Sequence, residues 1–557
     1  MQLQGAQIVV RTLIEQGVEV VFGFPGATVI DIYDALYEHA DKIRHVLVAH
    51  EQGAAHAADG YARATGKVGV CLATSGPGST NLVTGIAAAF MDSVPMIIVT
   101  GNVATSQIGT DSFQEIDITG VTLPITKHNY FVEDVNELAH TLREAFGLAQ
   151  SGRKGPVLVD IAKDVQQALG FYEPADPVLP DEPTLADESK LAAAAACINA
   201  CHRPLVYFGG GVVAAGAEHE LLELADKTDA PIACSLMGLS ALPSDHPRFL
   251  GMEGMHGHYA ATMAMKSADC IIALGCRFSD RSIGNRDKFG VGVHIVHVDV
   301  DRSELSKNTR DEYGIVGDVR LAVRKLLPLL VPADHRGWRE LVAKLRADQA
   351  MQEDTRDGMT PRAVLAAADA HRDRDAVVVT DVGQHQMWTA QYVRFDAPRT
   401  FVTNGGLGAM GFGLPAAIGA ALATGRRTLL VVGDGGFGMS LHELATAVSV
   451  QAALTILVMN NGVLGMVRQW QSMFYDRRYA STTLRSYRHT DFVAVAKAFG
   501  ADGVAAATMA QLNEALDAAA QVQGPFVIDC AIDEDELVLP MLSPGGTLAD
   551  IIVKVVY

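Results

Sequence analysis

Thr428-Leu-Leu-Val-Val-Gly-Asp-Gly-Gly-Phe-Gly438, followed further on by Leu454-Thr-Ile-Leu-Val-Met-Asn-Asn461, is the passage whose reading decides the fold. Both apolar runs are short and rich in β-branched residues, as in strands buried on two faces. Between them, residues 440–451 carry a helical pattern with Ser440 as the expected N-cap. The segment therefore reads as a β-α-β unit with parallel strands. That places Asp434 and Asn461 at the carboxyl ends of two strands, the edge where open α/β sheets take up ligands. A carboxylate, a side-chain amide and the Val463 carbonyl form a hard-oxygen set suited to Mg²⁺. Gly435 and Gly436 allow the backbone to approach an anion at a helix start. A lone Gly-Asp-Gly would be an ordinary nucleotide-fold turn. With Asn460-Asn461 after a spacer of 24 residues, it reads as a cradle for a metal and a diphosphate.

The chain of 557 residues has room for three or four domains. Its 44 basic and 64 acidic side chains give a formal charge of −20, which argues against a nucleic-acid surface. Seven cysteines lie mostly in apolar runs without Cys-x-x-Cys spacing, the pattern of buried thiols in a reducing cytoplasm. No secretory leader and no membrane span are expected, and the expected location is cytoplasmic.

Apolar strands alternate with helices along the whole chain, so the expected class is α/β with three doubly wound parallel-sheet domains. The expected boundaries are 1–168, 190–335 and 360–535, with a tail at 536–557 that could cover the site. Residues 170–190, rich in Pro, Asp and Glu, read as a linker. Three units of similar size suggest repetition of one plan.

Glu51 follows an apolar strand and opens the Ala-rich helix Gln52-Gly-Ala-Ala-His-Ala-Ala-Asp-Gly60. By position alone it reads as a partner for the helix dipole. Met410, in Gly406-Leu-Gly-Ala-Met-Gly-Phe-Gly413, would by itself be core packing, and Gln384-His385 a polar turn.

These residues together resemble the thiamine diphosphate-dependent enzymes, whose metal motif is Gly-Asp-Gly, a spacer of this length, and Asn-Asn. The resemblance implies that Asp434, Asn461 and the Val463 carbonyl bind Mg²⁺, and that Gly435, Gly436, Gln384 and His385 contact the diphosphate. It further implies that Met410 holds the cofactor folded and that Glu51 hydrogen-bonds its aminopyrimidine ring. In that family the glutamate serves the cofactor held by a neighbouring subunit, so a homo-oligomer with its active site at a dimer interface is expected.

Thr74-Ser-Gly-Pro-Gly-Ser-Thr-Asn81, Gly109-Thr-Asp-Ser-Phe-Gln-Glu115, Gly251-Met-Glu-Gly-Met-His-Gly257, Arg277-Phe-Ser-Asp-Arg281 and Gly465-Met-Val-Arg-Gln-Trp-Gln471 are similar to the catalytic subunits of the acetohydroxyacid (acetolactate) synthase family. That family decarboxylates pyruvate and ligates the hydroxyethyl unit to a second pyruvate or to 2-oxobutanoate, on the way to valine, leucine and isoleucine. The resemblance assigns Arg281 to the second acid's carboxylate and Trp470 to the preference for 2-oxobutanoate. It also places Phe113, Gln114 and Lys163 in the active site, and implies a structural FAD contacted by Arg153, His256, Arg277, Asp299 and Asp318. Gly209-Gly-Gly211 after a strand could approach its pyrophosphate. A small regulatory subunit is a candidate partner. The alternatives are a thiamine decarboxylase or oxidase, against which Arg281 and Trp470 speak, and a silent regulatory subunit, against which Glu51, Asp434 and Asn461 speak. Pro25-Gly-Ala-Thr28 and Gly101-Asn-Val-Ala104 depart from the family pattern near its herbicide-binding channel, which leads us to expect poor sensitivity to sulfonylureas and imidazolinones.

Overall fold

A computed structural model of the chain describes residues 1–352, 354–485 and 490–555. Three six-stranded sheets, every strand pair parallel, make up the body. In the third sheet the order across the sheet is Phe401–Val402, Val378–Thr380, Thr428–Gly433, Leu454–Asn460, Pro525–Ala531, Asp502–Ala506. Its strands bury both faces: Leu430, Val432, Ile456 and Val458 pack on one side, Leu429, Val431, Leu457 and Met459 on the other. That alternation is the period of two, with both halves apolar because helices cover both faces.

Numbered along the chain within each sheet, the first and third sheets share the order 2-1-3-4-6-5, whereas the middle one runs 3-2-1-4-5-6. The expected repetition of one plan thus holds for the outer pair only. The middle sheet has the dinucleotide-fold winding, its direction reversing between Pro204–Phe208 and Cys270–Leu274.

Element ends also differ from expectation. The helix after Gly433 starts at once, as Asp434–Ser440, and breaks into a 3₁₀ turn before Leu444–Ser449. Ser440 closes that first helix instead of capping a later one, because the small residues after Gly433 let the chain turn straight off the strand. Residues 170–172 belong to the first domain: Leu169–Phe171 pairs antiparallel with Gln2–Gln4. Between the second and third domains lies the charged stretch Asp334–Asp357. It forms helix Arg336–Ala350, whose buried Trp338 donates its indole N–H to Pro204 O at 2.8 Å on the middle domain. In the tail, Met541–Leu542 pairs with Ile551–Ile552 and joins the same apolar cluster as Trp470. The last two residues of the predicted tail lie outside the described residues.

The first and third domains meet where helix Glu51–Thr65 crosses helix Gly413–Thr424. A Cβ on Gly419 would lie 1.9 Å from Ala57 O, and one on Gly60 2.1 Å from Ala416 O. Only glycine at both positions lets the two backbones approach this closely, and the crossing sets how the Glu51 end of one domain stands to the other.

Candidate functional site

Asp434 is the first residue of its helix and only 8% exposed. Burial pushes its carboxyl up to about 6, against backbone N–H bonds and the Arg485 guanidinium, which lower it. A buried carboxyl without a strong ion pair is suited to a cation. Asn461, also buried, accepts from Val463 N–H at 3.1 Å through Oδ1, and its amide nitrogen faces Gln384 Oε1 at 3.4 Å. Among the described residues no cluster of three or more His, Cys, Asp or Glu could hold a metal, so the candidate rests on this mixed set of carboxylate, amide and carbonyl.

His385, at the helix start after strand Val378–Thr380, is buried with Nε2 unpartnered, and burial draws its ring down to about 4. Its ring lies 3.1 Å from where a Cβ on Gly433 would stand. Gln384 is committed elsewhere: its amide donates to Gln469 Oε1 at 3.0 Å and to Glu536 O at 2.7 Å. In this structure it props Asn461 and the tail. Asp434, Asn460, Gly462, Leu484 and Arg485 line a cavity of about 280 Å³. The unpartnered His385 nitrogen, the helix start at Gly435 and Gly436, and the hard-oxygen set fit a metal-bound diphosphate. Arg485 was not singled out from sequence, since a loop arginine carries no local signal.

Met410 leans over this cradle, its Cε 3.5 Å from the position a Cβ on Gly435 would take. Its segment is tied at both ends. Asp381 accepts N–H bonds from Gly411 at 3.0–3.1 Å and Gly413 at 2.8 Å, and Asp92 accepts from Gly405 and Gly406.

Glu51 heads its helix, with His50 as N-cap, and accepts from Asn81 Nδ2 at 2.9 Å. Gln114 packs against Gly76, five residues before Asn81, and adjacent Phe113 is 84% exposed. Lys163 heads the helix after Pro156–Ala162, donates to Ala27 O at 2.6 Å and pairs with Asp31 at 2.9 Å. Thr28 bonds Thr74 and the Ser75 amide, each at 2.9 Å. These residues share the carboxyl edge of the first sheet, and the Glu51 side chain is bonded within that domain, to Asn81.

Arg281 has a 63% exposed side chain, with Nη1 3.1 Å from Met255 Sδ. Trp470, edge-on to Phe474, packs on the cluster that contains Met255, so the two predicted substrate residues share one apolar neighbourhood. Sequence reading missed Glu253 beside them. It is buried, and its oxygens lie next to the Tyr207 and Ser282 hydroxyls, bonded to each other at 3.0 Å, without completing a hydrogen bond. Burial raises its carboxyl to about 8.

Gly209, His256, Arg277, Asp299 and Asp318 all stand at carboxyl ends of middle-sheet strands. Their present bonds are mixed in what they offer a dinucleotide. Gly209 and Gly211 give their N–H groups to Leu274 O and Gly275 O, and their lack of a Cβ serves the close approach of Gly275. Arg153 is paired with Asp301 and Glu304. Asp299 accepts from Asp301 N–H and Asp318 caps Val319–Leu326. Burial pushes Asp299 up to about 6. Of the predicted flavin residues, His256, buried with Nδ1 unpartnered, and Arg277, 3.9 Å from Asp92, fit a bound flavin best.

Three family models match: the N-terminal thiamine pyrophosphate-binding domain over residues 3–121, the central domain over 191–326 and the C-terminal thiamine pyrophosphate-binding domain over 381–530. The large subunit of acetolactate synthase isozyme 2 from Escherichia coli is 43% identical over 99% of this chain and 100% of its own length. The acetolactate synthase large subunit of Corynebacterium glutamicum is 43% identical over 99% of this chain and 90% of its own. The Mycobacterium bovis acetolactate synthase is 44% identical over 98% of this chain and 90% of its own. Among the described residues no helix is long and apolar enough to cross a membrane.

Proposed function

The chain belongs to the thiamine pyrophosphate enzymes, among the acetolactate synthase large subunits, and on that premise we propose the following working of its site. The enzyme removes carbon dioxide from pyruvate and joins the remaining two-carbon unit to a second pyruvate, giving 2-acetolactate, or to 2-oxobutanoate. Bound thiamine diphosphate supplies the electron sink for this chemistry.

Asp434, Asn461 and the Val463 carbonyl hold Mg²⁺, and the amides at Gly435 and Gly436 with His385 receive the phosphates. Glu51 accepts a hydrogen bond from the cofactor's pyrimidine ring. Arg281 pairs with the carboxylate of the second acid, its planar fork matching two oxygens. Trp470 borders the pocket for the acid's alkyl group, and the tail strand at Met541–Leu542 closes its apolar wall. FAD, if bound, sits at the carboxyl edge of the middle sheet against His256 and Arg277 and takes no part in the net reaction.

The observation that carries this reading is the separation of the two halves. The cradle lies in the third domain, while the Glu51 carboxylate is bonded within the first, to Asn81. Phe113 and Ile30 are exposed on the first domain, and Leu407 and Met439 on the third; exposed apolar side chains on both domains fit a second copy of the chain seated there. Because several relatives are named large subunits, a small regulatory subunit is the second partner to look for. The test mixes two inactive variants, Glu51→Gln and Asp434→Ala. Hybrids with one intact Glu51 and one intact Asp434 facing each other regain acetolactate formation. A mixture as dead as its parents would overturn the shared site.

A further inference from the structure

The three domains are tied together at one carboxylate, and the tie runs to the segment that carries Met410. Asp92 ends helix Val83–Asp92 of the first domain, and its side chain is fully enclosed. One oxygen accepts from Arg63 Nη2 at 3.0 Å and from Gly405 N–H at 3.0 Å; the other accepts from Gly406 N–H at 2.7 Å. Arg277 of the middle domain stands 3.9 Å from that second oxygen. Arg63 is itself buried, paired with Asp59, and its guanidinium lies 5.6 Å from the Phe412 ring centroid. A Cβ on Gly406 would come within 2.7 Å of Asp92 Oδ1, so glycine is what admits the carboxylate to this amide.

Asp381 fixes the other end of the segment, and Asn404 Oδ1 takes Ala409 N–H at 3.0 Å in between. Met410 is therefore bracketed by two buried carboxylates from different domains. Amide bonds to a charged acceptor are about twice as strong as neutral ones. Removing the charge would also leave Arg63 buried without one of its partners.

We propose that Asp92 is a positioning residue for the reaction: through the amides of Gly405 and Gly406 it fixes where Met410 stands over the cofactor cradle, and Arg277 braces it from the middle domain. This rests on the reading of Met410 as the side chain that shapes the bound cofactor. Asparagine at 92 keeps the volume but turns an N–H₂ toward donors, so at least one of the two amide bonds is lost. Arg277→Met withdraws the outer brace without touching either bond.

The experiment compares the wild type with Asp92→Asn, Arg277→Met, Met410→Ala and the double variant Asp92→Asn/Met410→Ala. In the cofactor-free chain, hydrogen exchange of the peptide containing Gly405 and Gly406 is expected to accelerate in both Asp92→Asn and Arg277→Met. In the holoenzyme, with thiamine diphosphate and Mg²⁺ bound, exchange of the thiazolium C2 proton should slow about tenfold or more in Asp92→Asn. The double variant should be no slower than Met410→Ala, because both changes act at one point. Normal C2 exchange in Asp92→Asn alongside slow exchange in Met410→Ala overturns the proposal alone. Normal exchange in Met410→Ala overturns the reading beneath it. Should Asp92→Asn fail to fold, Arg277→Met decides: unchanged protection of Gly405 and Gly406 in it contradicts the brace.

Discussion

Glu443 of the third domain holds the backbone of the two residues before Glu51 of the first. Its carboxylate accepts from Ala49 N–H at 3.2 Å and His50 N–H at 3.1 Å, and it is steadied by Thr446 Oγ1 at 2.6 Å. The start of the Glu51 helix is thus set by another domain of the same chain. Glu443→Ala leaves two amides without their charged acceptor, at a cost of about 1.5–3 kcal/mol. Turnover should fall more than stability, and Glu443→Gln should recover part of it. Equal kcat in wild type and Glu443→Ala, measured beside a thermal melt, would show that Glu51 needs no such hold.

The helix crossing makes a second prediction. Gly419→Ala places a methyl group 1.9 Å from Ala57 O, a backbone atom that cannot swing aside. Overpacking of this kind costs about 1–3 kcal/mol. Denaturant unfolding should show that loss, and activity should drop with it because the Glu51 helix is displaced.

Glu253 supplies a pH prediction. Burial holds its carboxyl near 8, far above an unfolded glutamate near 4.5. Between those values the folded state binds the proton that the unfolded state has released, so stability falls as pH rises through that window. Glu253→Gln has no proton to lose. Its melting temperature should exceed that of the wild type at neutral pH, and the gap should close as the pH drops toward about 4.5. A gap that persists at low pH would mean the difference is packing and not titration.

Trp470→Leu should spare pyruvate consumption and lower the preference for 2-oxobutanoate over pyruvate as second substrate. One methylene is worth about 1–3 kcal/mol of discrimination. A competition assay with both acids reads the product ratio directly, and an unchanged ratio would remove Trp470 from the pocket.

Much of this was legible in the sequence because it is written locally. The strands at Gly69–Ala73, Pro204–Phe208 and Cys270–Leu274 begin and end where their apolar runs do. Asp434 and Asn461 sit at strand tips because two such runs precede them. What could not be read is what depends on contacts between distant segments. Ser440 looked like an N-cap, but the turn at Gly433 had already started the helix. Gln384 looked free for phosphate, yet Gln469 and Glu536, far away in sequence, take its amide. Glu253 stands in Gly251-Met-Glu-Gly-Met-His-Gly257, where nothing nearby in sequence announces that its carboxyl is buried. Asp92 and Glu443 are ordinary helix-end acids until the domains are assembled around them.

The central claim is that this site joins two 2-oxo acids and does not merely break one down. The most direct measurement supplies the purified chain with thiamine diphosphate, Mg²⁺, FAD and pyruvate alone, and identifies the product. The account predicts 2-acetolactate with one carbon dioxide released for every two pyruvates consumed. Acetaldehyde as the main product, with one carbon dioxide per pyruvate, would contradict it.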